Sequence, residues 1–233
     1  MKTKLAIAFL TLFTVLLFSL PLFSLTAVHV NELSYLSEPA LAKRLDSFKG
    51  KNMFWLLVSR GIQKQLGDYQ QISTLQLQLR LPNQLQLHIQ EKDAWLSCMS
   101  EGKTTLIAED GSILSKGGDH SLENPKQLMV VKGIAQHYFT DDSISPSLLA
   151  HLKRLDSLAR QYFPSVSLLL EQESFHSWQL ILFDHLQVKL GTLDGLDDKF
   201  ERLSIFLNML DEEKYSTISY IDLRLDDKLL VSQ

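Results

Sequence analysis

The residues that could carry acid–base chemistry are three pairs of adjacent aspartates, at positions 141–142, 197–198 and 226–227. A general acid–base pair needs two carboxyl groups that converge on one substrate. Adjacent side chains point to opposite faces of a strand and diverge by about 100° on a helix. The pairs therefore favour turn and cap roles, and none is predicted to act as a shared dyad.

Nucleophilic, metal and redox chemistry also lack a pattern in this chain. The seven histidines have no ligand spacing, and no G-x-S-x-G, H-E-x-x-H, C-x-x-C or glycine-rich phosphate loop is present. Cys98 is the only cysteine, so no disulfide can form within the chain. We interpret it as a small buried hydrophobe. The sequence predicts no enzyme, no catalytic residue, no metal, no cofactor and no small-molecule substrate.

One charged pair has a spacing that permits contact. Asp222 and Arg224 are two residues apart, and in a strand they would share one face and could pair. A structural ion pair and a role at a partner surface are both open interpretations.

The chain begins with a long apolar run. Residues 5–25 contain no charge and follow Lys2 and Lys4. A helix of that length, at about 1.5 Å per residue, matches a bilayer core, and the two lysines predict that residues 1–4 stay in the cytoplasm. The alternative is a cleaved signal peptide, but the run is longer than the usual apolar region, and Leu25 is too bulky for the small residue expected before a cut at Val28.

The charge balance narrows the choice of partners. Without Lys2 and Lys4, the 23 basic residues become 21 against 27 acidic ones, so the exported part carries a net charge of −6. This balance disfavours nucleic acid or a broad anionic lipid surface as the partner.

The first exported module, residues 27–93, is predicted to have the order β-α-α-β-β. A short strand over 27–33 precedes a helix that starts at Ser37 with Pro39 in its first turn. A second helix is predicted over 59–66. Alternating leucines and glutamines around Pro82 then predict a hairpin with one apolar face, over residues 75–81 and 85–89.

The second module, residues 94–233, is predicted to be a mixed β-domain with flanking helices. Asp110-Gly111 between apolar runs indicates a hairpin, and Ser145-Pro146 indicates a helix start. Further strands are predicted over 128–131, 166–170, 178–183, 186–190, 218–225 and 228–231, with a helix from residue 193. The fold class is therefore α+β, behind one N-terminal transmembrane helix.

Three segments together resemble a known family. The hairpin over 81–91, which ends in Glu91, resembles that of the bacterial FtsQ/DivIB division proteins, and the order of the first module resembles their POTRA domain. The strand pair around Trp178 and Gly191, and Ser219-Tyr220-Ile221-Asp222-Leu223-Arg224, resemble motifs of their β-domain.

The resemblance implies a non-enzymatic scaffold of the division septum. Such a protein crosses the inner membrane once, with its N-terminus in the cytoplasm and its bulk in the periplasm. It binds the single-pass proteins FtsB and FtsL and supports recruitment of septal peptidoglycan synthesis components. The POTRA domain and the transmembrane helix would serve further divisome contacts.

The resemblance also implies that the partner adds a strand to the last strand of the chain. The segment is Arg224, Leu225, Asp226, Asp227, Lys228, Leu229, Leu230 and Val231. Tyr220, Asp222 and Glu91 are further candidates, for partner binding or for structure. Leu225 stands where the family usually has Tyr, and Asp227-Lys228 replaces a small turn, so the side-chain contacts are expected to differ.

Two other functions stay open at this point. One is a periplasmic POTRA-bearing adaptor in another envelope-assembly process; an outer-membrane assembly factor would need many more alternating strands. The other is a secreted periplasmic enzyme with a cleaved signal, which would need a pocket of converging polar groups.

Overall fold

The computed structural model describes residues 2–100, 102–116, 128–164, 166, 168–174, 176–183, 185–210, 218–225 and 229–232. Within these ranges the chain has the predicted α+β class, with helices and two sheets. It divides into two compact units, Met1–Lys92 and Asp93–Gln233.

The apolar N-terminal run is not a single helix. Helix α1 spans Lys2–Ser19, and a short 3₁₀ turn follows over Pro21–Phe23, because Pro21 has no N–H to continue the helical ladder. Leu25 is only 1% exposed and belongs to the core of the first unit. The helix predicted over 5–25 therefore ends early. None of the described helices is long and apolar enough to cross a membrane.

The first unit packs three helices on one face of a three-stranded sheet. The helices are α2 (Glu38–Asp46), α3 (Met53–Ser59) and α4 (Gly61–Leu66), and the strands are β1 (Ala27–Val30), β2 (Ile72–Arg80) and β3 (Gln84–Glu91). The strand order is β1-β3-β2, with β1 parallel and β2 antiparallel to β3. The hairpin β2–β3 lies where the alternation predicts it, and its buried side chains are Leu85, Leu87 and Ile89.

Helix α3 is absent from the sequence prediction. Its residues form a nearly unbroken apolar run with no helical period, so the pattern gave no signal. The helix starts because the side chain of Asn52 accepts hydrogen bonds from the N–H groups of Phe54 and Trp55, at 3.0 and 3.4 Å. Arg60, with φ of 51°, separates α3 from α4.

The second unit is a nine-stranded sheet with two long helices, α5 (Pro146–Tyr162) and α6 (Leu196–Asn208). The strand order is β12-β11-β10-β9-β8-β7-β4-β5-β6. The strands are β4 (Ala94–Ser100), β5 (Lys103–Ala108), β6 (Ile113–Lys116), β7 (Met129–Lys132), β8 (Leu169–Ser174), β9 (Ser177–Leu182), β10 (Leu186–Gly191), β11 (Tyr220–Asp222) and β12 (Leu230–Ser232).

The helices cover one face of this sheet. Phe200 of α6 is fully buried and packs near the rings of Tyr162 and Phe163, each at 6.3 Å between ring centroids. The core continues into the alternate residues of β9 and β10, such as Leu180 and Val188. As a result, the other face of these strands carries the polar alternation, including Asp222 at the end of β11.

Several strands of the second unit differ from the prediction, among them β11, which is shorter than the predicted 218–225, and β12, which ends one residue later than the predicted 228–231. Strand β4 was not predicted, because both of its faces are buried and it therefore lacks a polar alternation: Leu96, Ser97 and Cys98 are all at most 2% exposed. Strand β8 runs over Leu169–Ser174 rather than 166–170, since its second half is polar and pairs with β9 through Glu171 and Gln172.

Candidate partner-binding site

The sheet of the second unit ends at β12. Among the described strands, β12 has one neighbour, β11, with which it pairs antiparallel. Leu230 and Val231 are 50% and 40% exposed, although both are large apolar residues. A strand with an unpaired side and exposed apolar side chains is a surface on which another strand can pair.

Hydrogen bonds to β10 fix the direction of the main-chain groups of β11. The N–H of Leu223 donates to the carbonyl of Lys189 at 2.9 Å, and the N–H of Gln187 donates to the carbonyl of Ser219 at 3.2 Å. The Ser219 carbonyl and the Leu223 N–H are therefore bonded to β10, whereas the Ser219 N–H, just before β11, donates to the carbonyl of Ser232 at 2.9 Å. Because main-chain groups alternate in direction along a strand, residues 220 and 222 face β12.

The pairing register then fixes the open edge. Tyr220 and Asp222 stand opposite Ser232 and Leu230, respectively. Ser232 and Leu230 consequently direct their main-chain groups toward β11, and Val231 directs its N–H and C=O away from the sheet. Val231 is thus the described residue of β12 whose backbone is placed to bond an added strand.

Asp222 and Arg224 form the contact that their spacing permits. The guanidinium bonds the carboxylate through Nε, at 2.9 and 3.0 Å to the two oxygens, and through Nη2 at 2.6 Å. The Arg224 N–H also donates to Asp222 Oδ1 at 3.0 Å. These bonds lower the pKa of the Asp222 carboxyl and raise the pKa of Arg224. Asp222 is buried, so the pair fixes the end of β11.

Tyr220 has a neighbour on the same face of the sheet. The Nζ of Lys189 lies 4.4 Å from the centroid of the Tyr220 ring, which is a cation–π distance. Tyr220 is half-buried, so part of its ring stays accessible beside the edge strand.

Arg202 of α6 holds the chain where it leaves β11. Its Nη1 donates to the carbonyl of Leu225 at 2.7 Å, and its Nη2 donates to the carbonyl of Leu223 at 3.4 Å. Asp198, one helical turn earlier, forms an ion pair with Arg202, with 3.1 Å between its carboxylate and Arg202 Nε. Sequence reasoning missed Arg202, because its partners are 21 and 23 residues away and no local spacing reveals them.

The predicted partner segment is described only in part. Arg224 and Leu225 follow β11, and Leu229 packs against the core of the second unit. Leu230 and Val231 form the exposed part of β12. The remaining predicted residues, Asp226, Asp227 and Lys228, lie outside the described residues.

Glu91 is far from this edge in the chain and has a structural role in the first unit. Its carboxylate accepts three main-chain N–H groups, from Ser34 at 2.5 Å, Tyr35 at 3.0 Å and Leu36 at 2.7 Å. These groups belong to the loop between β1 and α2. Glu91 therefore ties that loop to the end of β3.

The described residues offer no arrangement for metal binding. Within those ranges, no three His, Cys, Asp or Glu side chains come close enough to hold one ion.

A comparison with protein families settles the relationship of the chain. The family model described as cell division protein FtsQ/DivIB, C-terminal, matches residues 98–224. The chain belongs to the FtsQ/DivIB family. The resemblance inferred from the sequence motifs is thereby confirmed. A search among curated proteins found no match.

Membership of the FtsQ/DivIB family gives the chain a role in cell division, in a family that is not enzymatic. The matched region covers β5 to β11 and ends at Arg224, the residue that pairs with Asp222. Strand β12 lies beyond it.

Proposed function

We propose that this FtsQ/DivIB-family chain is a non-enzymatic divisome scaffold that binds FtsB/FtsL-type single-pass division proteins through the open edge of β12. By holding them, it supports recruitment of septal peptidoglycan synthesis components. The observation that carries the proposal is the unpaired side of β12, where the main chain of Val231 points outward beside the exposed side chain of Leu230.

Strand addition explains both affinity and selectivity at such an edge. Main-chain hydrogen bonds to the outward groups of Val231 give affinity for any extended segment, and alternate side chains discriminate between segments. Val231 stands opposite Ile221, on the face that the helices cover, whereas Leu230 lies on the other face with Asp222. A partner strand with apolar residues on both faces would fit this arrangement.

Polar contacts of Arg202 and Arg224, which we call the polar frame, hold the chain beside this edge. Arg202 bonds the carbonyls on either side of residue 224, and Arg224 bonds Asp222. Fixing residues 222–225 before binding reduces the conformational freedom lost when a partner binds, which favours binding.

We further propose that the N-terminal segment anchors the chain in the bacterial inner membrane with a cytoplasmic N-terminus and a periplasmic bulk, at the septum. Supporting this, the side chains of Leu5, Phe9, Leu12 and Leu16 on α1 are largely exposed and apolar, and Lys2 and Lys4 precede them. The apolar residues of the 3₁₀ turn extend this surface beyond Ser19.

The domain assignment is part of the proposal. Residues 1–4 would be the cytoplasmic tail, 27–93 the POTRA domain and 94–233 the β-domain. The β-α-α-α-β-β order of the first unit and its β1-β3-β2 sheet support a POTRA-type module. This module and α1 would make the remaining divisome contacts.

The edge is tested by changing one main-chain group of the full chain. Val231→Pro removes the outward N–H without removing a bond to β11, so capture of an FtsB/FtsL-type partner from membranes should fall by about tenfold or more. Val231→Thr keeps the N–H and the branched shape and serves as the matched control. Equal co-purification with both variants would overturn the edge-strand proposal.

The cellular role has its own test. Depletion of the chain should give filamentous cells, and a fluorescent fusion should concentrate at midcell. Normal division after complete loss would contradict the division role.

A further inference from the structure

The first unit contains a groove that the β12 proposal does not use. It lies between the edge strand β1 and helix α2 and encloses about 360 Å³. The half-buried Val28, Val30 and Leu33 and the buried Leu41 and Leu45 give it an apolar floor. The groove follows both elements along their length, since its lining runs from residue 26 to residue 33 and from residue 38 to residue 49.

The free side of β1 presents main-chain groups to this groove. The side chain of Asn31 bonds both main-chain groups of Ile89, at 2.8 and 3.0 Å, so the odd-numbered residues of β3 face β1. Because Val28 stands opposite Leu85 in this parallel pair, Leu85 bonds the main chain of Ala27 and His29, and Val28 and Val30 direct their N–H and C=O outward.

No hydrogen bond occupies those outward groups within the part of the chain that the structure describes. Before the strand, the N–H and C=O of Leu25 bond Lys51 and Gly50. The edge at Val28 and Val30 is therefore open to an added strand.

The wall of the groove is acidic. Glu38, Ala42 and Asp46 are exposed, four residues apart on successive turns of α2, and all three line the groove. Glu38 and Asp46 are separated by about 12 Å along a helix, close to the span of about 13 Å over four residues of an extended chain. Asp46 bonds Lys49 at 2.7 Å, and Glu38 has no ion pair among the described residues.

The basic residues of α2 do not neutralise this wall. Arg44 donates to the carbonyl of Gln65 at 3.1 Å and stacks over the ring of Tyr69 at 4.6 Å, on the side of α4. Lys43 does not line the groove. Lys49, which also lines the groove, pairs with Asp46, so one uncompensated negative charge stays on the wall, at Glu38, and it favours a cationic occupant.

We propose that this groove binds an extended peptide segment of a partner protein, added as a strand to β1, with basic residues at two positions four apart and an apolar residue midway between them. The main chain would bond Val28 and Val30, the apolar residue would lie on the floor beside Ala42, and the basic residues would face Glu38 and Asp46. A second copy of this chain is a poorer occupant. Of its own edge strands, β1 and β12 carry no lysine or arginine, and β2 and β6 carry one basic residue each, Arg80 and Lys116, at the end of the strand.

The probes are three fluorescein-labelled peptides, tested by fluorescence anisotropy on the full chain in neutral detergent micelles. The first is Lys-Thr-Val-Thr-Lys, the second replaces both lysines by glutamate, and the third replaces both threonines by proline. The first should bind most tightly, because the second reverses the charges and the third lacks the N–H groups that a new strand donates.

Two exposed positions of the chain supply matched variants. Glu38→Lys should weaken the lysine peptide about fivefold and improve the glutamate peptide, because it reverses one partly screened contact. Ala42→Arg should weaken both by filling the groove, and Lys43→Ala, outside the lining, should change neither. Unaltered thermal unfolding of each variant excludes a folding defect.

Hydrogen exchange provides a second readout at the predicted atoms. The lysine peptide should slow exchange of the Val28 and Val30 amides and leave those of β12 unchanged, which separates this groove from the proposed function. Three results would each overturn the proposal: no binding of the lysine peptide at about 1 mM, equal binding of the glutamate peptide, or no protection at β1. Self-association of the chain that the peptide cannot displace would instead identify a second copy as the occupant.

Discussion

Each unit of this chain ties down one loop beside an edge strand, but the two units use opposite charges. In the first unit the carboxylate of Glu91 accepts the N–H groups of residues 34–36, between β1 and α2. In the second unit the guanidinium of Arg202 donates to the carbonyls of Leu223 and Leu225, between β11 and β12. The charge of the side chain matches the main-chain groups that it binds: a carboxylate accepts from N–H groups, and a guanidinium donates to carbonyls.

The two edges also differ in what surrounds them. Strand β1 has a helix beside it, so an added strand would meet the acidic wall of Glu38 and Asp46. Strand β12 offers the exposed Leu230 and Val231 without such a helical wall among the described residues. The first edge can select by charge, and the second must select by apolar contact and shape.

The largest expected loss of stability in this comparison comes from removing the carboxylate of Glu91. Glu91→Ala leaves three main-chain donors without their acceptor and should destabilise the first unit by about 2–4 kcal/mol. Hydrogen exchange of peptides covering 27–46 should accelerate, and peptides from β9 and β10 should not change. Glu91→Gln, which keeps an acceptor oxygen, should give a smaller change. Equal acceleration in both units would contradict separate stabilisation.

Removing the guanidinium of Arg202 should cause a smaller loss of stability. Arg202→Gln replaces two bonds, one of them long at 3.4 Å, and should destabilise the β11–β12 segment by about 1–2 kcal/mol. Exchange should accelerate at residues 223–225 and 230–232, and partner capture should fall severalfold with the core intact. Arg202→Lys should restore part of both. Faster exchange with undiminished capture would show that the polar frame does not serve binding.

The pair Asp222–Arg224 predicts a modest dependence on pH. Arg224 lowers the pKa of Asp222, so this contribution to stability is complete above the unfolded carboxyl pKa of about 3.9 and is lost as pH falls through the lower folded value. Asp222→Asn should therefore reduce stability at pH 7 and flatten its decline below about pH 4. Denaturant unfolding at a series of pH values measures this, with Glu171→Gln as a control carboxylate.

The smallest expected effect concerns the thiol of Cys98, which should be unreactive in the native protein. Burial raises the pKa of Cys98 to about 12, so the native second unit should not react with maleimide at neutral pH, whereas the unfolded chain should. Mass spectrometry after labelling reports this. In the Glu91→Ala variant Cys98 should stay protected, and rapid labelling there would mean that loss of the first unit opens the second.

The sequence predicted secondary structure best where one face of a helix or strand is buried and the other is exposed to solvent. The hairpin around Pro82 and helices α5 and α6 follow from their periods, because each has an apolar side and a polar side. The same logic failed at β4 and α3, where Ser97 is buried beside apolar neighbours and Met53 begins an apolar run. The apolar run over 5–25 misled for a related reason, since Leu25 is apolar for the core of the first unit.

The candidate site was predicted only in its local part. The pairing of Asp222 with Arg224 follows from a spacing of two residues, and the edge position of the last strand followed from the family resemblance. Arg202 and the three donors to Glu91 join parts of the chain that are 21 to 57 residues apart. Spacing along a sequence has no information about such contacts until the fold brings them together.

The burial of Leu25 bears on reach. Its N–H and its C=O are both bonded to the segment at residues 50 and 51, so only a few residues of the 3₁₀ turn separate α1 from the folded first unit. If α1 is held in the bilayer as proposed, this short connection keeps the β1 groove at a nearly constant distance from the membrane surface. The distance between the β1 groove and the membrane surface would then be fixed. A partner anchored in the same bilayer is captured only when its extended segment lies at that distance from the membrane.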